Sequence, residues 1–325
     1  MAKEDCVTTP ALQRLYGVVD IDGSLICSRE VLGAVENVSI GGVEGKIELP
    51  SFPSSLQEKD PMLTPLEPPA DARSWRQGSD LIRWGRPIAL PSGMSQVDRF
   101  LLYFDLPLVE FSERATAVHE GFAPWRNRFL DAFELLTKQR RSPRFRVIRK
   151  IDDLDLFCWG EDKKQQRPYK PSISHIELTG ITDDVTIHCS QFRRACEIAS
   201  EGKPLSLAYR TQLEAYRALG ADDFRKAIIE TAVSAEIALT EAIRGAFKAS
   251  GVDYGDKLMG RFRMLGGRLD LARILQLPMP PIDLQKVLVD PRNDVIHRAE
   301  FVDAQKARGA VNATDKLLSL LIPPI

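Results

Sequence analysis

Hydrophobic and polar residues follow two different periodicities along this chain. Before residue 200, apolar residues come in short runs, and residues 43–49 (VEGKIEL) alternate with polar ones as a half-buried strand does. Asp22-Gly23 follows one such run and predicts a hairpin turn. The strands predicted on this basis span residues 15–19, 43–49, 99–106, 145–151, 154–159 and 173–179.

Prolines interrupt this strand pattern. Residues 50–93 contain eight prolines and are predicted to be irregular. Pro124 is predicted to open a helix, because a proline in the first turn loses no intrahelical hydrogen bond. The apolar residues that then share one face at helical spacing are Trp125, Phe129, Ala132, Phe133 and Leu136. Residues 1–200 are therefore interpreted as one strand-rich α+β domain.

The pattern becomes helical after the polar break at residues 200–204 (SEGKP). Short connections between amphipathic helices predict an antiparallel, all-α bundle over residues 204–325, and hence an α+β chain of two domains. The first predicted helix spans residues 207–219 and ends before Gly220, and the second is capped by Asp222 or Asp223 and ends at Ala249. Further helical segments are predicted at 257–275, with a break at Gly266-Gly267, and at 284–298, in two parts. The last predicted helix is capped by Asp303 and ends at Leu321.

Composition narrows the class of protein only moderately. A length of 325 residues fits two domains, and 44% hydrophobic with 27% charged residues is ordinary for a globular protein. The net charge of −1 excludes a globally basic nucleic-acid binder, although a local basic patch is compatible with it. Five cysteines without a C-x-x-C pair argue against a disulfide framework and predict a cytoplasmic protein. No membrane span, metal site or cofactor is predicted.

The most informative chemistry lies in residues 290–298 (DPRNDVIHR). The guanidinium of Arg292 suits a phosphate, and the imidazole of His297 transfers protons near neutral pH. Asn293 lies four residues before His297, on the same helix face. Asp290 and Pro291 fit the N-cap and first position of a helix, where free N–H groups also attract phosphate. On an ideal helix Arg292 and His297 are about 140° apart, so they converge only through arginine's length or an irregular first turn.

The chain contains its own control for this spacing. Arg114 and His119 are also five residues apart, but alanine follows this arginine and the setting is an α+β region. Such pairs arise by chance in an arginine-rich chain, so the spacing alone is not a motif.

Two longer segments carry a family resemblance. RNDVIHRAEFVDAQKARGAVNATDKLLSLL, from Arg292 onward, resembles the end of a HEPN domain (higher eukaryotes and prokaryotes nucleotide-binding). DDFRKAIIETAVSAEIALTEAIRGAF resembles the alanine-rich second helix of that family, with Glu236 at the position of its glutamate. The resemblance is closest to prokaryotic defence-associated members. Ala299 stands where some HEPN toxins carry a tyrosine, so regulation through that tyrosine does not carry over.

The resemblance implies a metal-independent endoribonuclease that acts as a homodimer through the bundle, in phage defence or as a toxin. Arg292, Asn293 and His297 would be catalytic, with Glu236 and Arg298 supporting them. Cleavage by the 2′-OH of RNA needs one group to accept a proton and another to donate one. The predicted bundle has one histidine, and a symmetric dimer supplies the second. A protein or phage-derived trigger is expected at residues 1–200.

Three alternatives stay open at this point. Glu236, in apolar surroundings, is predicted to contact Arg292 or Arg298. A basic stretch either binds nucleic-acid phosphates or is a solvated helix end and strand face. It contains Lys138, Arg140, Arg141, Arg144, Arg146, Arg149 and Lys150. The bundle is either an active ribonuclease or an inactive dimerisation and binding module.

Overall fold

The chain divides into two compact units, Met1–Lys203 and Pro204–Ile325. The first unit contains an antiparallel sheet and the second is helical, so the predicted α+β class is confirmed. The computed structural model describes residues 11–52, 62–68, 75–77, 80–89, 94–138, 154–159, 165–166, 187–252, 255–298 and 301–322.

The first unit is built on one antiparallel sheet. Its strands follow the order β2-β3-β7-β1-β8-β9, with β6 paired to β7, while β4 and β5 pair separately. The strands are β1 (Leu12–Ser28), β2 (Val35–Ile40), β3 (Val43–Glu48), β4 (Arg76–Gln77), β5 (Asp80–Leu81), β6 (Gly85–Ala89), β7 (Met94–Pro107), β8 (Leu154–Trp159) and β9 (Gln165–Gln166). The strands predicted at 145–151 and 173–179 lie outside the described residues.

The hairpin predicted at Asp22-Gly23 is wrong. β1 continues through these residues, and its pairing with β7 changes register between Asp20 and Leu25. β1 also pairs with β8 on its other side. Because β1 pairs with β7 both before and after the Asp-Gly pair, the strand resumes beyond it, and the extra residues of β1 are taken up as an irregularity in the ladder.

One long helix covers a face of this sheet. Helix α1 (Phe111–Thr137) buries Trp125, Phe129 and Phe133, as the spacing predicts. Phe129 contacts Phe100 of β7 with ring centroids 5.6 Å apart. The prediction that Pro124 opens the helix is wrong, because the helix begins well before it. Pro124 is exposed, so the carbonyl it leaves without an N–H donor is close to solvent.

Amphipathic helices make up the second unit. The capping residues Asp223 and Asp303 accept hydrogen bonds from Lys226 and Lys306 N–H groups, so both predicted helix starts are confirmed. The helices are α3 (Leu207–Gly220), α4 (Phe224–Ala249), α5 (Gly255–Met259), α6 (Leu265–Ile274), α7 (Asp290–Asn293) and α8 (Ala304–Leu321), and helix α2 (Cys189–Ser200) belongs to the first unit.

The helix break predicted at Gly266-Gly267 is also wrong. Both glycines lie inside α6, and the interruption falls at residues 260–264. A Cβ atom added at Gly266 would lie 3.4 Å from Oε1 of Gln285. This is an ordinary van der Waals distance, and Gly266 lies within α6 without ending it.

A buried polar network joins α3, α4 and α8. The Gln212 amide donates to Asp315 Oδ1 over 2.9 Å and accepts from the Thr231 hydroxyl over 2.9 Å. The Tyr216 hydroxyl donates to the same carboxylate. Burial and the nearby Asp315 raise the pKa of Tyr216, so its hydroxyl stays protonated and able to donate. The network holds the three helices in one arrangement.

Candidate functional site

Residues 284–298 form one continuous helix, here called the site helix. Asp283 begins it, because its carboxylate accepts a hydrogen bond from the Lys286 N–H over 3.3 Å. Gln285–Val289 is π-helical, α7 follows, and Asp294–Arg298 is π-helical again. In the first π-helical turn the Asp290 N–H donates to the carbonyl of Gln285, five residues earlier.

The prediction that Asp290 caps a helix is wrong. Asp290 has φ −63° and ψ −49°, and Val289 is also in the right-handed helical region. Pro291 has no N–H, and the wider turn before it continues the helix despite that loss. Consequently Arg292 is not in a first turn with free N–H groups. A phosphate at this site has to be held by side chains.

The side chains of Arg292 and Asn293 are in contact. Nη1 of Arg292 donates to Oδ1 of Asn293 over 3.2 Å, and both residues are half-buried. Within the described part of the chain, no carboxylate forms an ion pair with Arg292. The positive charge of this guanidinium is therefore oriented by a neutral amide and is not neutralised by a described carboxylate.

His297 is exposed on the second π-helical turn. Val295, two residues earlier, is fully buried and anchors this turn in the bundle core. Since π-helical backbone bonds residues five apart, the turn from Arg292 to His297 is wider than on an α-helix. The two π-helical segments lie on either side of α7, one at the start and one at the end of the site helix.

The two residues predicted to support the site have other partners. Arg298 pairs with Asp294 over 3.0 Å on the helix surface. Glu236 lies 3.3 Å from Nε of Arg268, so the predicted contact of Glu236 with Arg292 or Arg298 is wrong. Arg268 also donates from Nη1 to Thr240, and its side chain is only 17% exposed. A half-buried glutamate needs a cation, and α6 supplies it.

Arg225 is a residue of this region that sequence reasoning missed. It lies in the first turn of α4, and its Nη2 donates to the carbonyl of Val295 over 3.2 Å. The two residues are 70 positions apart, and no local pattern marks such a contact. The contact connects α4 directly to the turn that carries His297.

The control pair has a different environment. Arg114 and His119 lie on α1, which is α-helical throughout. The guanidinium of Arg114 pairs with the carboxylate of Glu110, four residues earlier, at the N-cap position of α1. Its charge is therefore locally compensated, unlike that of Arg292.

The basic stretch after α1 lies almost entirely outside the described residues, including Arg140, Arg141, Arg144 and Arg146. Lys138 is described and ends α1 in the left-handed conformation, with φ 58°. In the parts of the chain that the structure describes, no group of three or more His, Cys, Asp or Glu side chains is arranged to hold a metal ion. No described helix combines the length and apolar character that a membrane span requires.

Comparisons of the chain with protein-family models, with curated proteins and with solved structures give no match. The functional reading of the site therefore depends on its own geometry and on the resemblance of its sequence.

Proposed function

We propose that this protein is a metal-independent endoribonuclease whose active unit is a homodimer. The observation that carries the proposal is the arrangement on the site helix. Arg292, without an ion pair to any described carboxylate, is oriented by Asn293, and an exposed histidine follows on the next, widened turn. The resemblance to HEPN domains points to the same residues.

The residue types match the chemistry of RNA cleavage by the neighbouring 2′-hydroxyl. The 2′-oxygen attacks phosphorus while the 5′-oxygen leaves, so one proton is removed and another is delivered. His297 performs one transfer, and His297 of the partner subunit performs the other. Arg292 stabilises the negative charge that develops on the phosphoryl oxygens. The products are a 2′,3′-cyclic phosphate and a 5′-hydroxyl.

A symmetric dimer is proposed because the described part of the bundle has one histidine. A two-fold axis beside the site helix brings two copies of His297 into one cleft without further sequence. Ile296 directly precedes His297 in the sequence and Phe301 follows it by four residues, and these two side chains are 41% and 86% exposed. Exposed large apolar side chains so close in sequence to a polar site are suitable for contact with a second subunit.

The same exposed pair supports a second candidate function. A bundle that only dimerises or binds a partner also uses apolar residues such as Ile296 and Phe301. In that case the first unit recognises the ligand or partner, and no RNA is cut under any condition.

One assay separates the two functions. Purified full-length protein is incubated with single-stranded RNA in excess EDTA, and the ends of the fragments are analysed by mass spectrometry. A ribonuclease of the proposed kind gives 2′,3′-cyclic phosphate ends, and His297→Ala abolishes them while the sedimentation coefficient stays that of the wild type. Equal cutting by His297→Ala and wild type contradicts the proposal. A complete absence of cutting, with dimers present, favours the binding module.

A further inference from the structure

The carbonyl of Val295 belongs to the last turn of the site helix. Nη2 of Arg225 donates to this carbonyl over 3.2 Å. The guanidinium also places a positive charge at the negative end of the site helix, which is favourable.

Local preferences of α4 do not explain an arginine at position 225. Asp223 caps this helix, so Arg225 lies in its first turn, near the positive end of the helix dipole. A cation is disfavoured there, and an acidic residue is the usual choice. Through its hydrogen bond to Val295, Arg225 stabilises the site helix and not α4.

Val295 is fixed at two points. Its side chain is fully buried in the core, and its carbonyl is held by Arg225. His297 follows two residues later and is exposed, so the orientation of its ring depends on the backbone that these two contacts hold. A small displacement of a catalytic group is enough to lower a rate substantially.

We infer that Arg225 is a positioning residue, which holds the π-helical turn of the site helix so that His297 keeps its orientation toward the RNA phosphate. The inference rests on the proposed ribonuclease function for its effect on rate. Its structural part, the anchoring of the turn, does not depend on that function.

The test compares Arg225→Ala, Arg225→Lys and Arg273→Ala in the full-length protein. Arg273 is the matched control, because it is a bundle arginine whose exposed side chain pairs with Asp270 over 2.9 Å. Amide hydrogen exchange is measured over residues 290–298 and over α8, and RNA cleavage is measured for kcat, KM and salt dependence.

Arg225→Ala is expected to speed exchange in residues 290–298 by about 10-fold, with α8 unchanged. It should lower kcat by about 10- to 100-fold and leave KM within about 2-fold. Arg225→Lys, which retains an N–H donor and the charge, should recover part of both losses. Arg273→Ala should resemble the wild type in every measurement.

Two results overturn the inference. Unchanged exchange over residues 290–298 in Arg225→Ala means that the turn is not held by this contact. A raised KM with unchanged kcat, and a logarithmic salt dependence shallower by about one, means that Arg225 binds an RNA phosphate directly. If wild-type protein cuts no RNA, the proposed function fails, and hydrogen exchange alone still decides whether Arg225 holds the turn.

Discussion

The chain contains two arginine–histidine pairs with identical spacing and different surroundings. Arg114 and His119 lie on a regular α-helix, and Glu110 neutralises the arginine. Arg292 and His297 lie on a helix with two π-helical segments, and the arginine is oriented by a neutral asparagine. Identical spacing therefore does not give the two pairs the same properties. The backbone geometry around each pair, and whether a carboxylate neutralises its arginine, decide what the pair can bind.

Replacement of the two histidines should give the largest difference in RNA cleavage. His297→Ala is expected to lower RNA cleavage by about 10²- to 10⁴-fold, because the site loses its proton-transfer group. His119→Ala is the matched control and should cut within about 2-fold of wild type. Initial rates on a fluorescent single-stranded RNA give both numbers. Comparable losses in the two variants would remove the distinction between the two pairs.

Replacement of the two arginines should give nearly as large a difference in kcat. Arg292→Ala is expected to lower kcat by about 10²- to 10³-fold, because the developing phosphoryl charge loses its guanidinium. Arg114→Ala only breaks an exposed surface ion pair and should leave kcat unchanged. Steady-state kinetics of both variants in EDTA test this, and an unimpaired Arg292→Ala enzyme speaks against a catalytic arginine.

Asn293→Asp should make the surroundings of Arg292 resemble those of Arg114. The new carboxylate lies next to Arg292 and neutralises it, as Glu110 does for Arg114. Cleavage is expected to fall by about 10- to 100-fold, and Asn293→Ala by about 10-fold, because the amide only orients the guanidinium. If Asn293→Asp retains full activity, an uncompensated charge on Arg292 is not required.

The smallest effects should come from the glutamates, and on stability instead of rate. Glu236→Gln leaves the largely buried Arg268 without its carboxylate and should cost about 1–3 kcal/mol of unfolding free energy. Glu110→Gln breaks an exposed pair and should cost less than about 0.5 kcal/mol. Urea unfolding of the two variants measures the difference. A large loss of kcat in a folded Glu236→Gln protein would instead assign Glu236 to the catalytic site.

The sequence predicts those elements whose determinants are local. The starts of α4 and α8 follow from an aspartate before an amphipathic helix, and β8 from a short apolar run. Asp290-Pro291 carries the same kind of signal and misleads, because Pro291 is accommodated by a π-helical turn within a helix that begins at Asp283. Local residue preferences do not predict such a π-helical turn.

Contacts between distant elements could not be predicted either. The pairing of Glu236 with Arg268 depends on how α6 packs beside α4, and the bond from Arg225 to Val295 joins residues from different helices. The side chains at the centre of the site, Arg292, Asn293 and His297, were identified because they are neighbours in sequence. The residues that hold them in place were not.

If two copies of the Arg292–His297 turn form one active unit, inactive subunits mixed with wild-type protein should lower its rate of RNA cleavage. Wild-type protein is equilibrated with increasing amounts of His297→Ala protein at constant wild-type concentration, and RNA cleavage is measured, with His119→Ala as the control for mixing. An equal mixture is expected to retain about half of the wild-type rate, because mixed dimers carry a single His297, while an equal amount of His119→Ala, which is itself active, should raise the rate about 2-fold. A rate that stays constant at every ratio of His297→Ala would mean that each subunit acts alone.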